Sequence, residues 1–331
     1  MAAEQGLNSN ETARAFASFE DAASVLLGVS GGADSTALLV LAAEWAGARK
    51  VRLCAATVDH GLRPESAAEA KAVGALAKRL GVEHRTLTWK GEKPATGIEE
   101  AARAARYALL DEAAKKIGAT HLATAHTRED QAETLLMRLA AGSGPAGLAG
   151  MRAWVKRDGV VHVRPFLGVA KARLVASLKQ RGVDWSEDET NRDARFARPR
   201  LRAAREVLER EGLTAERLSV LAGRMARVTD AMERVAAAAW PEVAHREDGR
   251  TVLDGGVLLA LPEEIALRVL IRAVDGHGDQ PPDRLARSEA LLGAVRQALR
   301  AGLEVSRTLA GAKIAVRAGR VTVTAAPPRR A

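Results

Sequence analysis

Three clusters of residues in this chain have types and spacings that could do chemistry. The first is Ser30, Gly31, Gly32, Ala33, Asp34 and Ser35, set between a β-branched run at 24–29 and a helical pattern. Glycines at 31 and 32 let the backbone approach a ligand closely, and a helix starting there points its unpaired N–H groups and positive dipole end back at the turn. Such a turn suits a phosphate. No Gly-Lys-Ser/Thr follows the glycines, so a P-loop lysine on the β/γ-phosphates is lacking. Asp34 stands there instead, and a carboxylate repels phosphates unless a divalent cation lies between them, so the turn predicts ATP with Mg²⁺. Taken alone, a Gly-Gly turn between strand and helix can also do nothing but turn.

The second cluster, Asp59, His60 and Arg63, ends an apolar run just before a helix opened by Pro64. Alone it reads equally as a helix entry with solvated charges. The third places His126, Asp130 and Glu133 at the end of a short apolar run and on the first turn of a helix. Acidic residues there can serve chemistry, complement the dipole or form a capping box.

These clusters need elements that bring them together. Strand patterns at 24–29, 51–59, 83–89 and 120–126 alternate with helical patterns from Pro64 to about Leu80 and from about Gly97 to Ile117. That alternation predicts an α/β fold with a doubly wound, mostly parallel sheet, in which ligands sit beyond the carboxyl ends of the strands. Asp34, Asp59 with His60, and His126 with Asp130 all fall at or just past strand ends, on one rim. A Gly-rich loop at 142–151 precedes a strand pattern and a helix from about Ala170 to Arg181. The boundaries expected are a catalytic domain at 21–205, a helical linker at 206–245 and a small α/β domain at 246–326. Within the last of these, 251–326 reads as strand, helix, helix, strand, strand, broken at 275–283.

Composition narrows the function. The chain has 331 residues, 47% hydrophobic, enough for two domains with a core. Its single cysteine, Cys54, rules out an internal disulfide and suits a reducing compartment. The first residues carry acidic groups and no continuous apolar run, so neither a signal peptide nor a membrane span is expected, and the cytoplasm is the default location. Net charge is +9, and it is uneven: residues 1–150 hold 17 Lys+Arg against 18 Asp+Glu, whereas 151–331 hold 33 against 23. A basic second half suggests a polyanion partner, although an Arg-rich composition can arise without one. Aromatics make up 3%, so a bound nucleic acid is expected to be held through backbone and shape.

The Ser-Gly-Gly-Ala-Asp-Ser turn is similar to the SGG-x-DS signature of the PP-loop ATP pyrophosphatases, which split ATP between its α- and β-phosphates and adenylate a substrate. Together with Val58 to Ser66, it resembles the tRNA(Ile)-lysidine synthases in particular. The third cluster fits that family's AHH-x-DDQ-x-ET pattern at His126, Asp130, Gln131, Glu133 and Thr134, and departs from it at Thr127 and Glu129. Arg103, Arg106 and Tyr107 match its Arg-x-x-Arg-Tyr helix, and Trp185 to Arg202 resembles its W-x-EDPSN…F-x-RNRIR stretch, with Glu189 for proline and Pro199 for asparagine. Helical arginines are otherwise most often a solvated face.

The resemblance implies adenylation of the C2 carbonyl oxygen of the wobble cytidine in a CAU-anticodon tRNA(Ile), followed by attack of the side-chain amine of L-lysine. It implies catalytic roles for Asp34, His126, Asp130, Glu133 and Arg106, and nucleotide binding by Ser30 to Ser35 and Asp59. It further implies substrate or tRNA contacts at His60, Arg63, Arg103, Arg198, Arg200 and Arg202, and metal at Asp34 and Asp130. A homodimer is left open. The alternatives are another PP-loop tRNA modifier, such as a thiolating enzyme, and a nucleotide-binding module without chemistry. A lone cysteine argues against the former, because sulfur transfer or an iron–sulfur cluster usually needs more.

Overall fold

The computed structural model describes residues 5–47, 49–61, 65–91, 93–94, 96–186, 200–201, 203–278 and 285–327. The chain divides into two units, Met1–Met137 with Gly150–Val220, and Arg138–Ala149 with Leu221–Ala331.

The first unit is built on a six-stranded sheet, β1 (Ser24–Gly28), β2 (Arg52–Asp59), β3 (Glu83–Thr88), β4 (His121–Thr124), β5 (Trp154–Arg157) and β6 (Val160–Val163), in the order β3-β2-β1-β4-β6-β5. All neighbours are parallel except the β5–β6 hairpin at the edge. β1 is central, and its side chains alternate between two cores. Val25 and Leu27 join Leu38, Leu41, Phe166 and Leu174 on one face, while Leu26 joins Cys54, Leu110 and Leu122 on the other. Helices therefore cover both faces, as a parallel sheet requires. Of these, α2 (Ala33–Ala46) packs on α7 (Lys171–Gln180) and α4 (Ile98–Lys116) packs on β1, β2, β4 and β6. Two more helices belong with them, α3 (Glu65–Arg79) and α5 (Arg128–Ala140), and the short α6 (Pro145–Leu148) falls in the 138–149 segment of the second unit. α6 lies inside the expected Gly-rich loop 142–151, because Pro145 supplies a helix-compatible φ at the first helical position.

The residues before 21, given no fold role from sequence, form α1 (Ser9–Ala15), held by a capping box of Asn8 and Glu11. Phe16 and Phe19 follow it and are fully buried against Trp45 and Phe166.

The second unit contains a five-stranded antiparallel sheet, β7 (Ala244–Glu247), β8 (Arg250–Asp254), β9 (Val305–Leu309), β10 (Ala312–Arg317) and β11 (Arg320–Ala325), in the order β7-β8-β11-β10-β9. Three helices pack with it, α10 (Gly255–Ala260), α11 (Glu263–Asp275) and α12 (Leu285–Ala301), preceded in the chain by α8 (Arg205–Arg210) and α9 (Ala215–Val243). Sequence alone suggests three strands and two helices. The structure has four strands, β8 to β11, and three helices, α10 to α12, in the region so read, and β7 precedes it with exposed polar residues that break the alternation marking a strand. No helix among the described residues is long and apolar enough to cross a membrane.

Candidate functional site

Parallel pairing brings the carboxyl ends of β1, β2 and β4 level, with Gly28 opposite Ala56 on one side and Thr124 on the other. The turn after β1 is held by its own hydroxyls. Ser35 Oγ accepts from the Ser30 N–H at 3.1 Å, lies 3.1 Å from Ser30 Oγ and donates to Gly32 O at 3.0 Å. Gly31 has φ 94°, a left-handed conformation that a side chain would strain. Its carbonyl accepts from Thr36 Oγ1 at 3.1 Å and from the Ser186 N–H at 3.0 Å. Gly32 caps α2 with no side-chain acceptor, so the first-turn N–H groups meet the turn uncapped.

Asp34 sits on that first turn with its side chain 22% exposed. Oδ2 is 3.4 Å from Lys171 Nζ, and Oδ1 is buried without a hydrogen-bond partner. Burial pushes the Asp34 carboxyl up to about 6, with Lys171 opposing the shift and Asp130 and Glu129 adding to it. A buried acceptor with nothing to accept from is expensive, and a cation there would satisfy it.

The β4 end supplies the facing residues. His126 Nδ1 is 3.0 Å from Thr124 Oγ1. Asp130 Oδ2 accepts from the N–H and the hydroxyl of Thr127 at 2.8 and 3.0 Å, and Thr127 Oγ1 receives the Asp130 N–H at 3.4 Å. This is a reciprocal cap on α5, so Asp130 is oriented by the helix start. Glu129 Oε2 accepts from the Lys171 N–H at 2.9 Å, tying the starts of α5 and α7 together and carrying Lys171 to Asp34. Gln131 is buried and bonds the Met151 backbone twice, at 3.0 and 2.7 Å. Glu133 is buried on the same helix.

Asp59 and His60 share the rim through β2 and have their own surroundings. Asp59 Oδ1 accepts from the Gly61 N–H and the Ser66 hydroxyl, each at 2.8 Å, which holds its carboxyl below the usual range. The His60 ring meets Trp89 edge-on at 5.9 Å, and Lys93 Nζ lies 5.7 Å from the centre of that indole. On α4, the Arg103 guanidinium lies over Tyr107 at 5.2 Å and Tyr107 stacks on His162, whereas Arg106 is exposed. Arg200 is exposed, and Arg63, Arg198 and Arg202 lie outside the described residues.

Residues 7–210 match the PP-loop domain family. Curated tRNA(Ile)-lysidine synthases resemble nearly the whole chain. The protein of Rhodopseudomonas palustris is 47% identical over 336 residues, 98% of this chain and 97% of its own length. Those of Bradyrhizobium sp. (strain BTAi1) and Methylobacterium sp. (strain 4-46) are 46% and 50% identical, covering 98% and 93% of this chain and 96% and 91% of their own. The chain belongs to the tRNA(Ile)-lysidine synthase family. Among solved structures, the U34-tRNA thiolase NcsA of Methanococcus maripaludis, determined with its 4Fe–4S cluster, matches with a TM-score of 0.57 at 15% identity, covering 67% of this chain and 79% of that one. That likeness concerns the PP-loop fold alone.

Within a lysidine synthase framework, the two departures in the His126–Thr134 segment are residues that tie the site together. Thr127 caps α5 through Asp130, and Glu129 holds the α7 start. Sequence reasoning also passes over Lys171. Its signal is a lysine at the first position of a helix, where the macrodipole disfavours a cation unless a carboxylate faces it.

Proposed function

We propose that this protein joins L-lysine to C2 of the wobble cytidine of tRNA(Ile) with a CAU anticodon, using ATP and passing through an adenylated tRNA. The observation that carries the reading is Asp34: a buried, unsatisfied carboxylate oxygen inside a phosphate turn that has no P-loop lysine.

The turn from Ser30 to Ser35 receives the ATP phosphates on the bare N-terminus of α2. Asp34 and Asp130 fit Mg²⁺, which often takes one or two carboxylates together with substrate phosphates and water. When bound, Mg²⁺ supplies charge neutralisation at the phosphates. Lys171 balances Asp34 in the nucleotide-free protein and offers a second cation to the phosphates.

Cytosine's carbonyl oxygen leaves poorly until it is converted to an AMP ester. His126 and Glu133 then stand as candidates to take the proton from the attacking amine, with acidic residues of the rim drawing the lysine ammonium in. Asp59, through Gly61, shapes the β2 end against the nucleotide. His60, Arg63, Arg103, Arg106, Arg198, Arg200 and Arg202 serve substrate or tRNA. In this reading the catalytic domain spans 21–205, and the basic residues of 246–326 hold the tRNA body, in the cytoplasm. Thiolation is disfavoured because the single cysteine is buried in β2.

Pyrophosphate release tests the reading. It should require ATP and CAU-anticodon tRNA, and label from the ATP α-phosphate should appear on tRNA when lysine is withheld and leave as AMP when lysine is added. Release that ignores tRNA, or label that never reaches it in a single turnover, overturns the proposal.

A further inference from the structure

We infer that Trp154 is a stacking platform for an unpaired base of the tRNA anticodon loop, an assignment that rests on the lysidine synthase reading. Trp154 is 63% exposed, whereas Trp45 is buried and Trp89, Trp185 and Trp240 are half-buried. It begins the edge strand β5, where a large apolar side chain invites unwanted pairing and is ordinarily avoided.

Its place is set by register. Trp154 pairs with Val163, and Val163 pairs with Ala123, the residue before the end of β4. The Trp154 Cα is thus level with the end of β4, just ahead of His126, two strand spacings or about 10 Å to the side. That separation is within the reach of a nucleotide near one whose base occupies the rim.

The backbone leading to Trp154 is fixed from two directions. Arg164 donates from its N–H to Ala153 O at 2.7 Å and from Nη1 to Arg152 O at 2.8 Å. Just before this segment, buried Gln131 holds Met151 by both amide groups. A ring carried on so constrained a strand loses little freedom when a base covers it.

Charge points to the same occupant. Between 152 and 164 the chain carries Arg152, Lys156, Arg157 and Arg164 against Asp158, and Asp158 pairs with Lys115 at 3.2 Å. An exposed indole among cations is the arrangement that holds single-stranded nucleic acid, with stacking for a base and cations for the flanking phosphates. A second copy of this chain would bring the same cations to the same place and meet repulsion.

The test uses the full chain and an anticodon stem-loop RNA with a CAU anticodon. Trp154→Ala should weaken RNA binding roughly tenfold, Trp154→Phe should restore most of it, and both variants should keep the wild-type melting temperature and ATP affinity. Loop positions are then made abasic one at a time. At one of them wild-type binding should fall to the level of Trp154→Ala, and the substitution should add no further loss. Unchanged binding by Trp154→Ala, a loss that persists on every abasic RNA, weakened ATP binding, or a change only in self-association by sedimentation each overturns the platform. Wild-type protein that neither binds the stem-loop nor releases pyrophosphate with CAU tRNA overturns the lysidine synthase reading, and the platform with it. Tight wild-type binding with an indifferent Trp154→Ala removes the platform alone.

Discussion

Asp34→Asn should make the protein more stable at neutral pH while disabling it. The Asp34 carboxyl is raised from 3.8 to about 6 by burial, against the pull of Lys171. In the unfolded chain it ionises near its ordinary value, so between pH 4 and 6 the native state holds a proton that the unfolded state has released, and stability falls as pH rises through that window. Above about 6 both states are ionised and the native fold carries the full penalty. A gap of about two in pKa corresponds to roughly 3 kcal/mol. The variant's amide still needs partners and Lys171 loses its counter-charge, so a net gain of about 1–2 kcal/mol is expected at pH 8. For a unit of this size that is roughly 2–8 °C in melting temperature. The assay is denaturation of wild type and variant at pH 4, 5, 6 and 8. Carboxylates away from this turn titrate alike in both proteins and cancel in the difference, which leaves Asp34 and the Asp130 and Glu129 coupled to it. The variant's lead should be absent at pH 4, grow to pH 6 and then level off, while Mg²⁺ with ATP should raise the wild-type melting temperature more than the variant's. A variant less stable than wild type at pH 8, or a difference that does not change with pH, refutes the claim that burial of the Asp34 charge is what strains this turn.

Three further outcomes follow from named contacts. Lys171→Ala should move the midpoint of the same pH-dependent stability loss above 6, since it removes the cation that opposes Asp34's shift; an unmoved midpoint shows the 3.4 Å pair to be electrostatically idle. Ala318 occupies a left-handed position, φ 48°, in the two-residue turn between β10 and β11, so Ala318→Gly should raise stability by about 1 kcal/mol in urea titrations. Arg200→Ala should lower the slope of log tRNA affinity against log salt by about 0.7–0.9 if this exposed arginine neutralises a phosphate, and leave it unchanged if it serves the chemical step alone.

Much of the first unit is legible in the sequence because periodicity and punctuation agree there. β1, β2 and β4 are apolar runs ended by turn residues, and the Gly31–Gly32 pair with a missing lysine points to a phosphate turn from residue types alone. What stays hidden depends on partners distant in sequence. Nothing near Lys171 announces Asp34, and Gln131 reads as one more polar residue on a helix until Met151 is placed against it. The hairpins divide along the same line. Asp158-Gly159 and Asp248-Gly249 carry the usual signature of a tight two-residue turn, with left-handed φ at both residues. Ala310-Gly311 and Ala318-Gly319 adopt the same conformation with a residue that disfavours it, so the turns they make follow from strand pairing across the sheet.

Cys54 gives the molecule an internal clock. It is the chain's single thiol, 2% exposed, in the middle of β2 between β1 and β3, and burial pushes its pKa up. A thiol reagent cannot reach it until that part of the parallel sheet opens, so the rate of its modification measures how often the sheet opens. The second unit has no cysteine to contribute a signal. Labelling kinetics on the unmodified protein therefore isolate the opening of the sheet that carries the Ser30–Ser35 turn, and the slowing produced by each added substrate reads how far that substrate closes it.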